Sequence, residues 1–81
     1  MAIERRFVMA TVRIDATGLR CPQPVLKIAA KMPEMSNGDI LEVLGDCPTF
    51  EEDVRKWCVR MKKTLLAVTV EGDVQKIQIQ F

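Results

Sequence analysis

The sequence predicts a small α/β protein of the α+β type: a two-layer sandwich with two helices on one face of a four-stranded mixed sheet. Three observations lead to this fold. The 81 residues suffice for one domain with a modest core. Segments with the alternating apolar residues of strands are interleaved with two segments of helical periodicity. The last two strand segments are separated only by Gly72-Asp73, a hairpin signal, so the order is β-α-β-α-β-β.

The strands are predicted from alternating apolar residues. Four segments qualify: residues 11–15, 40–44, 65–71 and 74–81. A right-handed crossover through a helix should make the first two strands parallel neighbours. In the last strand Ile77, Ile79 and Phe81 alternate with glutamines, which predicts that the sheet face opposite the helices is solvated.

The first helix is predicted from Pro22 to Met32, and Pro33 should end it. Its apolar face is expected to contain four residues spaced at helical intervals: Val25, Ile28, Ala29 and Met32. Lys27 and Lys31 are expected on the opposite face.

The second helix is predicted to begin near Thr49, because Thr49 and Glu52 match a capping box. Its apolar stripe is expected to contain five residues: Phe50, Val54, Trp57, Cys58 and Met61. Cys58 is therefore interpreted as a core residue, a common position for a free cysteine.

Composition excludes several classes of function. With 12 Lys+Arg against 11 Asp+Glu, the chain has no charge excess to attract nucleic acid or an anionic membrane. One Trp and three Phe provide no basic, base-stacking surface. The absence of His removes the usual general base, and it makes a metal site improbable for three cysteines that lack Cys-x-x-Cys spacing.

The apolar runs are too short to span a bilayer. Residues 1–10 are interpreted as an N-terminal extension without a signal-peptide core, with Met9 as an alternative start, and residues 11–81 as the single domain. A cytoplasmic location is therefore expected, in which the cysteines are thiols rather than a disulfide framework.

The stretch from residue 18 to residue 24, Gly-Leu-Arg-Cys-Pro-Gln-Pro, predicts a reactive cysteine. Pro22 is expected at the first helical position, which places Cys21 at about the N-cap. Free amides of Gln23 and Val25, together with the helix dipole, would then favour the thiolate form of Cys21.

The surroundings of Cys21 distinguish two interpretations. An inert, buried Cys21 is the alternative to a reactive one, and the polar neighbours Arg20 and Gln23 argue against burial. Arg20 would add a positive charge if its side chain turned toward the sulfur.

A longer pattern surrounds this cysteine on a predicted strand-turn-helix: Asp15-x-x-Gly18-x-x-Cys21-Pro22-x-Pro24. It continues with Gly38-x-x-Leu41-x-Val43, with Asp46 after the second strand, and with Asp53 and Cys58 in the second helix. Over residues 11–81 the chain resembles the TusA/SirA/YedF family of sulfur-carrier proteins.

The resemblance implies that Cys21 accepts sulfane sulfur as a persulfide and transfers it to a cysteine of a partner protein. The implied donor is a cysteine desulfurase or a rhodanese, and the implied acceptor is a cysteine-bearing sulfur-relay protein. The chain would then be a persulfide carrier rather than a turnover enzyme, with no cofactor or metal and no direct contact with nucleic acid or membrane. Supporting positions implied by the motif are Asp15, Gly18, Arg20, Pro22, Gln23 and Pro24. Family members serve tRNA thiolation, sulfur oxidation, cofactor assembly or selenium metabolism, so the pathway stays open.

The chain departs from the family pattern at two places. The family often has Gly where the second helix ends, and this chain has Arg60-Met61-Lys62-Lys63 there. A non-Gly residue in a left-handed cap costs about 1 kcal/mol, so this cap is expected to differ. Many members also have Pro directly after the aspartate, whereas here Cys47 intervenes between Asp46 and Pro48.

Cys47 follows the second strand as Cys21 follows the first, so both should lie at one edge of the sheet. Cys47 is then a small loop residue, a second sulfur site, or a disulfide partner of Cys21 if their Cα atoms approach within about 7 Å. The alternative function is thus a thiol-disulfide redox regulator. A regulatory or nucleic-acid-binding module, suggested only by fold analogy with a domain of a bacterial translation initiation factor, is a third class.

Overall fold

The computed structural model describes residues 10–81; residues 1–9, which contain most of the expected extension and the alternative start at Met9, lie outside the described residues. The described helices and strands are β1 (Thr11–Asp15), α1 (Gln23–Lys31), a 3-10 turn (Met32–Glu34), β2 (Ile40–Gly45), α2 (Phe50–Met61), β3 (Thr64–Glu71) and β4 (Val74–Gln80). This order confirms the predicted β-α-β-α-β-β arrangement. Among these residues there is no helix with the length and apolar character needed to cross a membrane.

The strands form one mixed sheet in the order β1-β2-β4-β3. β1 and β2 are parallel, as predicted, with Val12 opposite Leu41. β4 is antiparallel to both of its neighbours, and a register irregularity interrupts its pairing with β3 between Leu65 and Ala67. The hairpin joining β3 to β4 turns at Gly72, whose φ of 65° lies in the left-handed region.

The core lies between the sheet and the two helices. Its buried members come from both layers and from the loops that join them: Ala16, Ile28, Leu41, Val43, Cys47, Phe50, Val54, Trp57, Cys58, Ile77 and Ile79. The presence of Ala16 and Cys47 in this set shows that the loops after β1 and β2 are packed into the core at one end of the sheet.

The opposite face of the sheet, which the sequence predicts to be solvated, carries polar side chains. Glu42 lies at its centre and accepts hydrogen bonds from Gln78 Nε2 at 2.8 Å and from Arg13 Nη2 at 2.8 Å. These two bonds, the one from Gln78 foremost, lower the pKa of the Glu42 carboxyl. Although Glu42 is only 8% exposed, its charge is therefore paired within the sheet.

The first helix differs from the prediction in its boundaries and its buried face. It begins at Gln23, and Pro33 lies in the 3-10 turn that follows it. Its buried residues are Pro24 and Ile28, whereas Ala29 is exposed, contrary to expectation. Because each helical residue advances by about 100°, a stripe centred on Pro24 and Ile28 leaves Ala29 at its side.

The second helix buries four of its five expected residues: Phe50, Val54, Trp57 and Cys58. Met61 is 36% exposed, so its assignment to the core was wrong. Met61 is the last helical residue, and no further turn of α2 shields it.

The ends of α2 are stabilised differently from the prediction. The expected capping box is wrong: the Thr49 hydroxyl donates to Asp53 Oδ2 at 3.0 Å instead of accepting from a backbone amide. Glu52 forms an ion pair with Lys56 instead of turning back to Thr49. At the other end Lys62 adopts the left-handed conformation, with φ 59° and ψ 41°. The cap thus keeps the left-handed geometry that favours glycine although the residue is lysine, so the expectation that this cap would differ was wrong.

Candidate functional site

The loops that carry Cys21 and Cys47 leave the same edge of the sheet. β1 and β2 run parallel with Asp15 opposite Leu44, and the amide of Ala16 extends this pairing by donating to the Leu44 carbonyl at 2.8 Å. Parallel neighbouring strands necessarily end side by side, so the segments that follow them begin close together.

Cys21 and Cys47 are joined by a disulfide, with their Cα atoms 5.9 Å apart. This separation lies inside the range that a disulfide requires. Of the three roles that the sequence left open for Cys47, the structure therefore places it as the partner of Cys21.

A second contact joins the same two loops. The Gly18 amide donates to Asp46 Oδ1 at 2.9 Å. Gly18 has a φ of 82°, a conformation that residues with a Cβ rarely adopt. The sequence identified Asp46 only as the residue after the second strand and did not reveal this bond, although both residues follow parallel strands.

Asp15 shapes the turn between β1 and Cys21. Its carboxylate accepts from the Thr17 amide at 3.0 Å and from the Thr17 hydroxyl at 2.6 Å. These bonds lower the pKa of the Asp15 carboxyl, the hydroxyl bond most. Aspartate side chains commonly build turns in this way. Asp15 thus stabilises the backbone of the turn that leads from β1 to Cys21.

The start of α1 differs from the prediction. Pro22 is the N-cap rather than the first helical residue, so Cys21 lies one position before the cap, and the Cys21–Pro22 peptide bond is cis. The Gln23 amide donates to the Arg20 carbonyl at 2.8 Å, and the Val25 amide donates to the Pro22 carbonyl at 3.0 Å. The two amides expected to face the sulfur are therefore engaged by the backbone.

Exposure distinguishes the three cysteines. Cys21 is half-buried, and its neighbours Arg20, Pro22 and Gln23 are exposed. Cys47 is 8% exposed and Cys58 is 3% exposed. Another protein can therefore approach Cys21 much more readily than either of the other two.

Pro24 is buried in the first turn of α1, against the core rather than at the surface. Nearby, Pro22 and Val25 line a shallow cleft with Asp53, Lys56 and Arg60 of α2. Lys56 and Arg60 are cationic and Asp53 is anionic, and Lys56 is paired with Glu52 at 3.2 Å.

Cys58 is a core residue, as predicted. Burial raises the pKa of its thiol, and the nearby Arg55 opposes this effect only in part. Because Cys58 is only 3% exposed, a partner protein cannot bring a sulfur atom within bonding distance of its thiol. Within residues 10–81, no three His, Cys, Asp or Glu side chains are grouped so that they could bind a metal ion.

Comparison with protein families agrees with the resemblance found in the sequence. The family model described as "Sulfurtransferase TusA" matches residues 12–81, which includes Cys21, Cys47 and all of the described strands and helices except Thr11, the first residue of β1. This match covers well over half of the chain. The chain belongs to the TusA sulfurtransferase family.

Proposed function

We propose that this protein is a sulfur carrier that holds sulfane sulfur as a persulfide on Cys21 and delivers it to a cysteine of a partner protein. The observation that carries the proposal is the position of Cys21. It is the more accessible member of a cysteine pair at the edge of the sheet, within the Cys-Pro-x-Pro sequence of a sulfurtransferase family.

The proposed reaction is two successive sulfur transfers. In the first, the Cys21 thiolate attacks the outer sulfur of a donor persulfide, and the donor cysteine leaves as a thiolate. In the second, an acceptor thiolate attacks the outer sulfur now on Cys21, and Cys21 leaves as a thiolate. Each step forms one sulfur–sulfur bond and breaks one, so neither step needs an external oxidant or reductant.

The partners follow from this chemistry. The donor is a protein that bears a persulfide, such as a cysteine desulfurase or a rhodanese, and the acceptor is a cysteine-bearing relay protein. Delivery for tRNA thiolation, sulfur oxidation or cofactor assembly is compatible with the same two steps. We place this exchange in the cytoplasm, where cysteine thiols are kept reduced. The balanced charge supports recognition of proteins rather than nucleic acid.

Accessibility supports Cys21 as the carrier atom. A donor cysteine has to bring its persulfide within bonding distance of the receiving sulfur, which a buried side chain prevents. Cys47 and Cys58 are both buried, whereas the residues flanking Cys21 are exposed to solvent.

Sulfur loading tests the assignment. The reduced protein is incubated with a cysteine desulfurase and cysteine, and intact mass spectrometry followed by peptide mapping locates any added sulfur. We expect Cys21→Ser to abolish loading and Cys58→Ala to load as the unmodified chain does. Loading that persists in Cys21→Ser would contradict the proposed function.

The disulfide favours a second candidate, thiol-disulfide redox regulation. In the oxidised form Cys21 has no thiol and cannot accept sulfur, so a reductant would control loading. Loading measured across a series of thiol–disulfide buffers tests this function. We expect loading to follow the fraction of protein in the dithiol form, and loading independent of the buffer ratio would exclude this control.

A further inference from the structure

We propose that Cys47 discharges the persulfide on Cys21. In this step the Cys47 thiol gives up its proton as its sulfur attacks Cys21 Sγ, the sulfane sulfur leaves as hydrosulfide with that proton, and the Cys21–Cys47 disulfide remains. The inference rests on the proposed persulfide at Cys21. It adds a persulfide-reducing activity to the transfer of sulfur between proteins.

The pairing in the structure determines which sulfur is attacked. A persulfide on Cys21 has an inner sulfur, which is Cys21 Sγ itself, and an outer sulfur bonded to it. Cys47 Sγ bonds directly to Cys21 Sγ, with the two Cα atoms 5.9 Å apart. The bond in the structure is the one that attack on the inner sulfur would form, whereas transfer to a partner requires attack on the outer sulfur.

Burial restricts Cys47 to this one reaction. Its side chain is 8% exposed and packs with core residues such as Phe50. A partner protein therefore cannot easily present a cysteine to Cys47. Cys21 is held beside it on a neighbouring loop, so the internal reaction proceeds at a high effective concentration, of the order of millimolar or more.

The contact between Gly18 and Asp46 maintains this arrangement independently of the disulfide. The hydrogen bond joins the residue three positions before Cys21 to the residue immediately before Cys47. It links backbone on one loop to side chain on the other, so the two thiols stay close when the disulfide is reduced.

Atoms and electrons balance in the proposed step. The Cys21 persulfide anion and the Cys47 thiol become the disulfide and hydrosulfide, with the Cys47 proton ending on the hydrosulfide. The sulfur–sulfur bond of the persulfide breaks as the Cys21–Cys47 bond forms. The two electrons that reduce the sulfane sulfur come from the cysteine pair. The sulfane sulfur is thus the oxidant, and a dithiol reductant is needed only to restore the two thiols.

Two thiols therefore compete for the loaded carrier. An acceptor that attacks the outer sulfur receives it and leaves Cys21 as a thiol, ready for another load. If no acceptor arrives, Cys47 expels the sulfur and leaves a disulfide that cannot be loaded again before reduction.

The experiment follows a loaded carrier in the absence of an acceptor. The full-length protein is reduced, freed of reductant, loaded under anaerobic conditions with a cysteine desulfurase and cysteine, and separated from both. Released hydrosulfide is trapped and quantified, while intact mass and peptide mapping follow Cys21. We expect the persulfide to be replaced by the Cys21–Cys47 disulfide, with one hydrosulfide released per disulfide formed.

Three variants provide the comparison. Cys47→Ser and Cys47→Ala should load at Cys21, retain the persulfide and lose hydrosulfide release down to background. Cys58→Ala, which removes the other buried thiol, should release hydrosulfide as the unmodified chain does. Thermal unfolding of each variant shows whether it is folded. Two different substitutions are made at Cys47 so that the test still stands if one of them does not fold.

The outcomes separate this inference from the proposed function. If Cys21 loads but its persulfide persists equally with and without Cys47, or if the sulfur moves onto Cys47, the discharge step is wrong and the carrier function stands. If Cys21 does not load in any variant, the proposed function is wrong and the discharge step falls with it.

Discussion

The amide of Gly18 donates a hydrogen bond to the carboxylate of Asp46 across 2.9 Å, and this bond ties the loop of Cys21 to the loop of Cys47. Both residues are exposed at the surface, yet the bond spans 28 positions of sequence. It is therefore a tertiary contact between the two loops that carry the cysteines.

Asp46→Ala tests this contact. Loss of an exposed charge-assisted hydrogen bond should cost about 1 kcal/mol, or about fivefold in an equilibrium constant. We expect the Cys21–Cys47 disulfide to form about fivefold less readily in a thiol–disulfide buffer, as measured by alkylation and mass spectrometry. Asp46→Asn keeps an acceptor oxygen, so its disulfide formation should decrease less than that of Asp46→Ala. Equal disulfide formation in all three proteins would show that the loops are positioned by other contacts.

Gly45 ends β2 directly before the loop of Cys47, and a side chain there has no room. A Cβ at Gly45 would lie 2.6 Å from Phe50 Cε1, inside the core. We expect Gly45→Ala to destabilise the fold by about 1–3 kcal/mol through overpacking, as measured by denaturant unfolding.

The control is Gly72→Asn, because nothing lies within 4 Å of a Cβ at Gly72 and asparagine tolerates its left-handed conformation. The double variant Gly45→Ala/Phe50→Leu should recover part of the stability that Gly45→Ala loses. Additive losses in the double variant would argue against a clash with Phe50.

Lys62 caps α2 in the left-handed conformation, with a φ of 59°. Glycine adopts this conformation without the steric penalty of a Cβ, so Lys62→Gly should stabilise the protein by up to about 1 kcal/mol. Thermal unfolding measures the gain. Lys62→Ala also removes the lysine side chain but keeps the Cβ, and it should bring no such gain. A stabilisation that is the same for Ala and Gly would place the effect in the side chain rather than the backbone.

Glu42 should make folding stability depend on pH in the acid range. Hydrogen bonds from Gln78 and Arg13 lower the pKa of this carboxyl in the folded protein. The stabilisation that ionised Glu42 adds to the free energy of unfolding is therefore fully present above its unfolded-state pKa of about 4.3. It is lost as the pH falls through the lower pKa that the carboxyl has in the folded protein.

Urea unfolding between about pH 6 and pH 2 tests the role of Glu42. We expect Glu42→Gln to be less stable than the unmodified chain near pH 6 and to lose less stability on acidification. Glu34→Gln, which alters the exposed ion pair with Lys31, is the matched control and should retain the original slope. If the unfolding free energies of Glu42→Gln and the unmodified chain change in parallel with pH, Glu42 is not the source of the pH dependence.

Cys58 should make folding stability decrease as the pH rises in the alkaline range. Burial raises the pKa of its thiol in the folded state, so its contribution is fully present below the unfolded-state pKa of about 8.5 and is lost as pH rises through the folded value. In the disulfide form Cys21 and Cys47 do not titrate, which isolates this thiol.

We expect Cys58→Ala to flatten the decrease in unfolding free energy between about pH 8 and pH 10.5. The neighbouring Val59→Ala, at a residue 80% exposed, should leave that decrease unchanged. If the unfolding free energy of Cys58→Ala decreases with pH as steeply as that of the unmodified chain, other groups cause the loss of stability at alkaline pH.

Much of the fold follows from local patterns in the sequence. The alternation of residues 11–15 predicted β1 with its observed bounds, and the 3.6-residue spacing from Phe50 to Cys58 predicted the buried face of α2. Gly72-Asp73 predicted the hairpin. These features depend on neighbours within a few positions, and such short-range preferences can be recognised without the rest of the chain.

The candidate site was predictable in part. The Cys-Pro-x-Pro sequence identified Cys21, and the parallel arrangement of the first two strands predicted that Cys47 would lie at the same edge. The local pattern did not reveal that Pro22 caps the helix or that the amides of Gln23 and Val25 are already bonded. These bonds go to the carbonyls of Arg20 and Pro22, and they are visible only in the folded backbone.

The order of the elements, the hairpin, the apolar stripe of α2 and the motif around Cys21 could all be predicted from the sequence. The strand order, the exposure of Ala29 and Met61, and the pairing of Cys21 with Cys47 became visible only in the folded chain. They could not be predicted because they depend on contacts between residues far apart in the chain. The two cysteines are 26 positions apart, and they meet because β1 pairs with β2 and the Gly18–Asp46 bond joins the loops beyond these strands.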